Sequence, residues 1–181
     1  RNENIRGEDH YHIYDQPELY SFLDISQNNA YEGLGQKHYD NIMYVREYIS
    51  DHPRPINNVK NYGSARHGEE ESIARFLRII FSGCASARFH RPHPLESPDS
   101  HEASSDYGLG LSPRAQSTIR SMHLLIEKID FINTKPQNGL LSDREPNEAY
   151  LLANEGKQYA LYFPKDTSDG SVSLDMTDIK G

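Results

Sequence analysis

The 181-residue chain has no tryptophan and a single cysteine, Cys84. One thiol closes no internal disulfide and makes no thiolate metal site by itself, so neither a disulfide framework nor a cysteine-based zinc centre is expected. No apolar run approaches the ~20 residues of a bilayer-spanning helix, and residues 1–15 (RNENIRGEDHYHIYD) lack the apolar centre of a signal peptide. Clustered Lys and Arg are missing as well. With 19 basic against 27 acidic side chains the formal charge is −8, which argues against a nucleic acid held through its phosphates, and against membrane surfaces or insertion. GLGQKHYD and YGLGLSP are not GxGxxG, so no phosphate-cradling loop is recognised. From these absences no cofactor and no bound metal are expected.

What remains is a polar chain rich in tyrosine, with 12 of them, enough for one domain with a proper core or one and a half smaller ones. SFLDISQNN (21–29) is an apolar, strand-like run that ends in three side-chain amides, Gln27, Asn28 and Asn29, rather than in an ordinary Gly or Pro turn. In the following GQKHYDNIMYVREYIS, Tyr39, Ile42, Met43, Arg46 and Ile49 fall at helical spacing, and Asp51-His52-Pro53 ends the helix. A short strand around Pro55 to Val59 then closes on Asn57, Asn58, Lys60, Asn61 and Tyr62. HGEEESIARFLRIIFSG predicts a second helix, acidic at its start, buried through Ile73, Phe76, Leu77, Ile80 and Phe81, and stopped by Gly83. A third strand, SARFHRP, again finishes in charge at Arg88, His90 and Arg91.

The strand starts, near Phe22, Pro55 and Ser86, are 33 and 31 residues apart. That is the length of a strand-helix unit in parallel α/β sheets and (β/α)8 barrels. Both place active sites at the C-terminal ends of the strands, which is where the three polar clusters arrive. Residues 92–110 form a Pro/Ser/acid-rich loop, either a cleft lid or a disordered excursion. LSPRAQSTIRSMHLLIEKIDFIN reads as the longest helix, with Ser112 as N-cap, Pro113 first, and Ile119, Met122, Ile126 and Ile129 on one seam. Beyond it the period changes to strands: a hairpin turning at Asn154 to Lys157, then GSVSLDM as a third antiparallel strand. The fold class expected is therefore α/β. Residues 1–135 are the C-terminal half of a (β/α)8 (TIM) barrel, opening on a polar arm, and 136–181 are the beginning of an antiparallel β-sandwich-like domain. The chain is expected to be a fragment whose partners include the preceding barrel strands and the remaining β-strands of the same polypeptide. An open doubly wound α/β domain is the competing architecture.

YDQPELYSFLDISQNN, YISDHPRPINNVKNYG, SGCASARFHRP, GLGLSPRAQSTIRSMHLL and LLSDREPNEAYLLANEGKQYALYFP together resemble the C-terminal half of a bacterial glycoside-hydrolase-like family. Its members are similar to apiosidase-type enzymes, a (β/α)8 barrel followed by a small β-domain often labelled collagen-binding. The resemblance implies that the strands near 22, 55 and 86 are the sixth, seventh and eighth of the barrel. It also implies a catalytic acid on the fourth strand, upstream of this chain, and secretion in keeping with the family's use of external polymers. A glutamate ends the seventh strand in related barrels; here Lys60 stands about there. Glycosidases generally need two carboxyl groups, so Asp24, Glu32 or an upstream acid is left to serve, or the barrel binds sugar without cleaving it.

For each candidate a functional reading stands beside a structural one. Gln27, Asn28 and Asn29 either contact sugar hydroxyls or cap the next helix. Asp24, expected on the same strand face as Phe22 and towards the barrel interior, is either catalytic or a buried carboxylate paired with a cation. Lys60, Asn61 and Tyr62 are substrate contacts at the strand end. Arg88 and His90 either hold a carboxylated sugar or pair with Asp24. His10 and His12 have the HxH spacing of metal ligands on an extended segment, with a solvated arm as the plainer reading; the same holds for His93 and His101 with Glu96, Asp99 and Glu102. Arg75 reads as a structural anchor, Cys84 as a small core residue, and DREPNEAY (143–150) as the carrier of an interdomain ion pair. The function expected is a glycoside hydrolase acting on a polysaccharide or oligosaccharide; the alternative is a non-catalytic carbohydrate- or matrix-binding protein on the same scaffold.

Overall fold

A computed structural model describes residues 5–26, 33–59, 61, 64–89, 112–164 and 171–177. The chain enters through helix α1 (Glu8–Tyr14) and strand β1 (Leu23–Asp24). Helix α2 (Gly35–Tyr48), strand β2 (Ile56–Asn57) and helix α3 (Ser64–Phe81) follow. β1 pairs with β2 in parallel, with Leu23 opposite Ile56 and Asp24 opposite Asn57. A third segment, Ser86 to Phe89, continues the parallel pairing through bridges Asn57 to Ser86 and Asn61 to Phe89. The ladder is carried by Leu23 N–H to Pro55 O (2.9 Å), Ile25 N–H to Asn57 O (3.1 Å) and Ala85 N–H to Ile56 O (2.9 Å).

One face of this sheet is packed by helices. Leu23, Ile25 and Ile56 bury against Ile42, Val45 and Ile49 of α2 and Ile79 of α3. Ile5 and Tyr14 close the same cluster, so residues 5–14 form no polar arm: α1 docks through Tyr14, whose hydroxyl donates to Ile5 O at 3.1 Å. Alternation along the strand then sends Phe22 and Asp24 to the opposite, exposed face. Phe22 and Asp24 thus share one strand face, and it is the face turned away from the helices. Leu23 and Ile25 are the pair that the α2 and α3 stripes can cover.

α2 buries His38, Asn41, Ile42 and Val45 as well as Tyr39, while Arg46 of the expected stripe reaches out to donate to Gly83 O at 3.1 Å. α3 bends at Gly68, whose φ of 78° only glycine adopts cheaply. It stops at Gly83, φ 73°, where Gly83 N–H and Cys84 N–H close onto Ile80 O and Ile79 O. Helix α4 (Pro113–Lys128) begins as the sequence predicts: Ser112 Oγ accepts from Ala115 N–H at 3.1 Å with Pro113 at the first position. It ends at Lys128, because Ile129 turns extended. Its inner side, Ala115 and Met122, packs on Phe76 and Phe89.

The C-terminal part is antiparallel. Strand β3 (Lys135–Pro136) pairs with β5 (Tyr150–Asn154), and β5 with β6 (Gln158–Tyr162), giving the order β3-β5-β6. The hairpin turns at Glu155 to Lys157, as its sequence suggests, with Gly156 at φ 73°. GSVSLDM does not join that sheet. Its strand β7 (Ser173–Leu174) pairs instead with β4 (Leu141–Ser142), which follows a 3₁₀ turn at Asn138–Leu140, because the third place beside β5 is already filled by β3.

Tyr39 of α2 and Phe81 of α3 pack on Tyr150, Leu152 and Ala160, joining the two parts through one apolar cluster. The 143–150 stretch adds a polar joint, made of hydrogen bonds where an ion pair was expected. Gln36 Oε1 accepts from Arg144 Nη2 (2.5 Å) and Asn147 N–H (2.9 Å). Asn147 Oδ1 accepts from Arg78 Nη1 (3.0 Å) and the Tyr150 hydroxyl (2.8 Å). Arg78, fully buried, also donates to Glu71. Asn147 holds φ 64°, a left-handed conformation that asparagine tolerates better than most residues.

Candidate functional site

Because the strands pair in parallel and in register, one side chain from each segment falls on a single row. Asp24 lies opposite Asn57 and Asn57 opposite Ser86. All three stand on the face away from α2 and α3; Asp24 is exposed and the other two half-buried. The Ser86 hydroxyl donates to Asn57 Oδ1 at 2.7 Å, which commits the amide oxygen and leaves its NH2 as the donor of the pair. Asp24 Oδ1 accepts from Ser26 N–H at 2.8 Å, so one carboxylate oxygen is held by its own backbone turn while the other has no hydrogen bond among the described residues. Ser26 in turn takes Val59 N–H on its Oγ at 2.7 Å, tying the end of β1 to the end of β2. A carboxylate, an amide and a hydroxyl side by side offer acceptors and donors in alternation, an arrangement suited to a hydroxyl-rich ligand.

The candidates named from the sequence distribute unevenly around this row. Gln27, Asn28, Asn29, Lys60, Tyr62 and His90 lie outside the described residues, as do Glu32, His93, His101, Glu96, Asp99, Glu102 and the 92–110 loop. Asn61 is buried and turned inward: its Nδ2 donates to Ser72 O at 2.7 Å, so it anchors the strand end to α3 and is not presented to a ligand in this arrangement. Arg88 is exposed and lines a groove against α4; among the described residues it forms no ion pair with Asp24. Asp24 therefore is exposed, not buried, and makes no ion pair among the described residues.

His10 and His12 sit on α1, not on an extended segment, and two residues along a helix point to different sides. His12 engages Gln16, and His10 lies 5.7 Å from the Tyr14 ring. Among the described residues no group of three His, Cys, Asp or Glu side chains is placed to hold a metal ion. Arg75 is an anchor, donating from a buried position to Gly33 O. Cys84 is a core residue whose thiol burial pushes up to about 12, against smaller lowering effects from the Ser82 hydrogen bond and Arg46. His38, buried beside Arg75 and Arg78, is held well below the usual imidazole range, first by desolvation and then by the two guanidinium charges.

Ser86 was not singled out in the sequence, and Asn57 was one member of a polar cluster with no special weight. The signal that would have found both is register: the residue on each parallel segment that aligns with Asp24. The chain matches no family model, no curated protein and no solved structure in the three comparisons made.

Proposed function

We propose that the chain is the C-terminal part of a (β/α)8 carbohydrate-active protein, residues 1–135 from its barrel and 136–181 from a following β-domain, and that the Asp24, Asn57 and Ser86 row belongs to its sugar cleft. The observation that carries this reading is the row itself. Three parallel segments present polar side chains in register on the one sheet face that no described helix covers, and parallel sheets are normally covered on both faces. On this reading that face is the barrel interior, and Asp24 is the carboxylate that acts on, or orients, a glycosidic bond. The second carboxyl group that hydrolysis requires comes from elsewhere in the polypeptide. Gln27, Asn28 and Asn29 extend the same cleft at the end of the first strand.

A specific observation favours binding without cleavage as the second reading: Asp24 is the one carboxylate in the row, beside an amide and a hydroxyl. One experiment separates the two. Affinity electrophoresis through plant and algal polysaccharides should retard the chain, and Asn57→Ala should abolish that retardation while leaving the far-ultraviolet spectrum unchanged. Reducing-sugar release by the polypeptide carrying its upstream strands, lost in Asp24→Asn with retardation retained, identifies a hydrolase; retardation without release identifies a binding protein. A chain that runs freely through every polysaccharide would sink the proposal.

A further inference from the structure

Between α3, α4 and the third parallel segment lies a groove of about 310 Å3. Its floor is apolar. Phe76 and Phe89 stack with centroids 4.4 Å apart and planes inclined by 15°, and Ile119 and Met122 of α4 form the facing wall. Two polar side chains line it as well, Arg88 and His123, both exposed. Neither makes a hydrogen bond or ion pair among the described residues. Arg54, Arg78 and Arg144, by contrast, are each tied to carbonyl, amide or carboxylate oxygens.

We infer that this groove is a binding site for a small amphipathic carboxylate, a ring-sized apolar body lying on the Phe76/Phe89 stack with its carboxylate at the Arg88 guanidinium. The volume is at the small end of ligand pockets, which sets the ring-plus-short-chain size. The apolar floor supplies burial. A guanidinium with no partner among the described residues, on a chain of charge −8, supplies the charge complement, and its planar fork suits a carboxylate better than any neutral group. This site shares none of its residues with the sugar row.

Isothermal titration of the full chain with 4-phenylbutyrate and with neutral 4-phenylbutanamide tests it. The expected result is saturable one-to-one binding of the acid, with the amide at least ~tenfold weaker, the size of one charge-assisted contact. Arg88→Gln, an exposed substitution that leaves the core untouched, should weaken the acid by at least ~tenfold and leave the amide within ~twofold. Met122→Trp, which fills the groove, should remove both. No saturable heat with the acid, equal affinities for acid and amide, or an Arg88→Gln chain that binds the acid unchanged would each overturn the inference. So would a groove occupied by the chain's own 90–111 segment or by a second copy: the acid then gives no heat, and sedimentation that depends on concentration marks the second copy.

Discussion

In β5 four consecutive side chains, Tyr150 to Ala153, are buried and all are apolar apart from one phenol, whereas around β1 and β2 the interior holds His38, Asn41, Asn58, Asn61 and Ser72 among its isoleucines. The contrast follows from strand length. β5 is the central strand of its sheet, five residues long and paired on both sides, so its backbone is satisfied and its side chains need only pack. β1 and β2 are two residues long; loops and helix ends therefore enter the core carrying peptide groups that no ladder serves. Side chains serve them: Asn61 for Ser72 O, Ser26 for Val59 N–H, Arg75 for Gly33 O. Polar residues in the parallel part are structural partners for irregular backbone, and that is why reading them all as ligand contacts overcounts.

Three perturbations would break or sharpen this comparison. The broadest effect is expected at Arg78, which joins the two regions. Arg78→Ala removes one of the two guanidinium groups that meet Glu71 and one of the two donors to Asn147 Oδ1 and should cost about 3 kcal/mol, seen in a urea melt as a lower midpoint with both regions lost together. A truncation that melted only the antiparallel strands would show the joint to be dispensable. Leu152→Ala acts within the apolar region alone; from a site only 1 % exposed it should cost about 3 kcal/mol through lost burial and a residual cavity, and a loss below 1 kcal/mol would mean that β5 collapses around the gap.

The third effect belongs only to the polar interior. Because His38 is held neutral in the folded chain, the unfolded chain takes up a proton first as pH falls below about 6.5. The stability His38 contributes is thus complete above that pH and lost as pH drops towards its depressed folded value. Wild type should lose up to about 1.4 kcal/mol more per pH unit than His38→Gln across that window. Identical slopes would mean that the imidazole is not protected from protonation.

Much of the local structure was legible beforehand. Ser112-Pro113 announced the start of α4, Gly83 the end of α3, and Asn154 to Lys157 the hairpin, because caps, breakers and turns act through neighbours in the chain. The candidate site was less so. Asp24 was named, on the strand face it shares with Phe22, but a two-residue strand shows too little alternation to reveal which side the helices cover. HxH read as a ligand pair only while α1 was taken as extended. The row of Asp24, Asn57 and Ser86 depends on a register between segments about thirty residues apart in the chain, and no local pattern encodes it.

By itself, then, the sequence determined where α4 begins and where α3 ends, the polar ends of the three parallel segments and the absence of disulfide-forming cysteine pairs. Each of these is fixed by composition or by chemistry within a few residues. The tertiary structure alone decided that Asn61 and Arg75 face inward, that Arg78 ties α3 to the antiparallel strands through Asn147, that β7 pairs with β4, and that Arg88 lines the groove under α4. Those outcomes turn on which surfaces meet and which backbone groups are left to satisfy, and both are set only when distant segments pack.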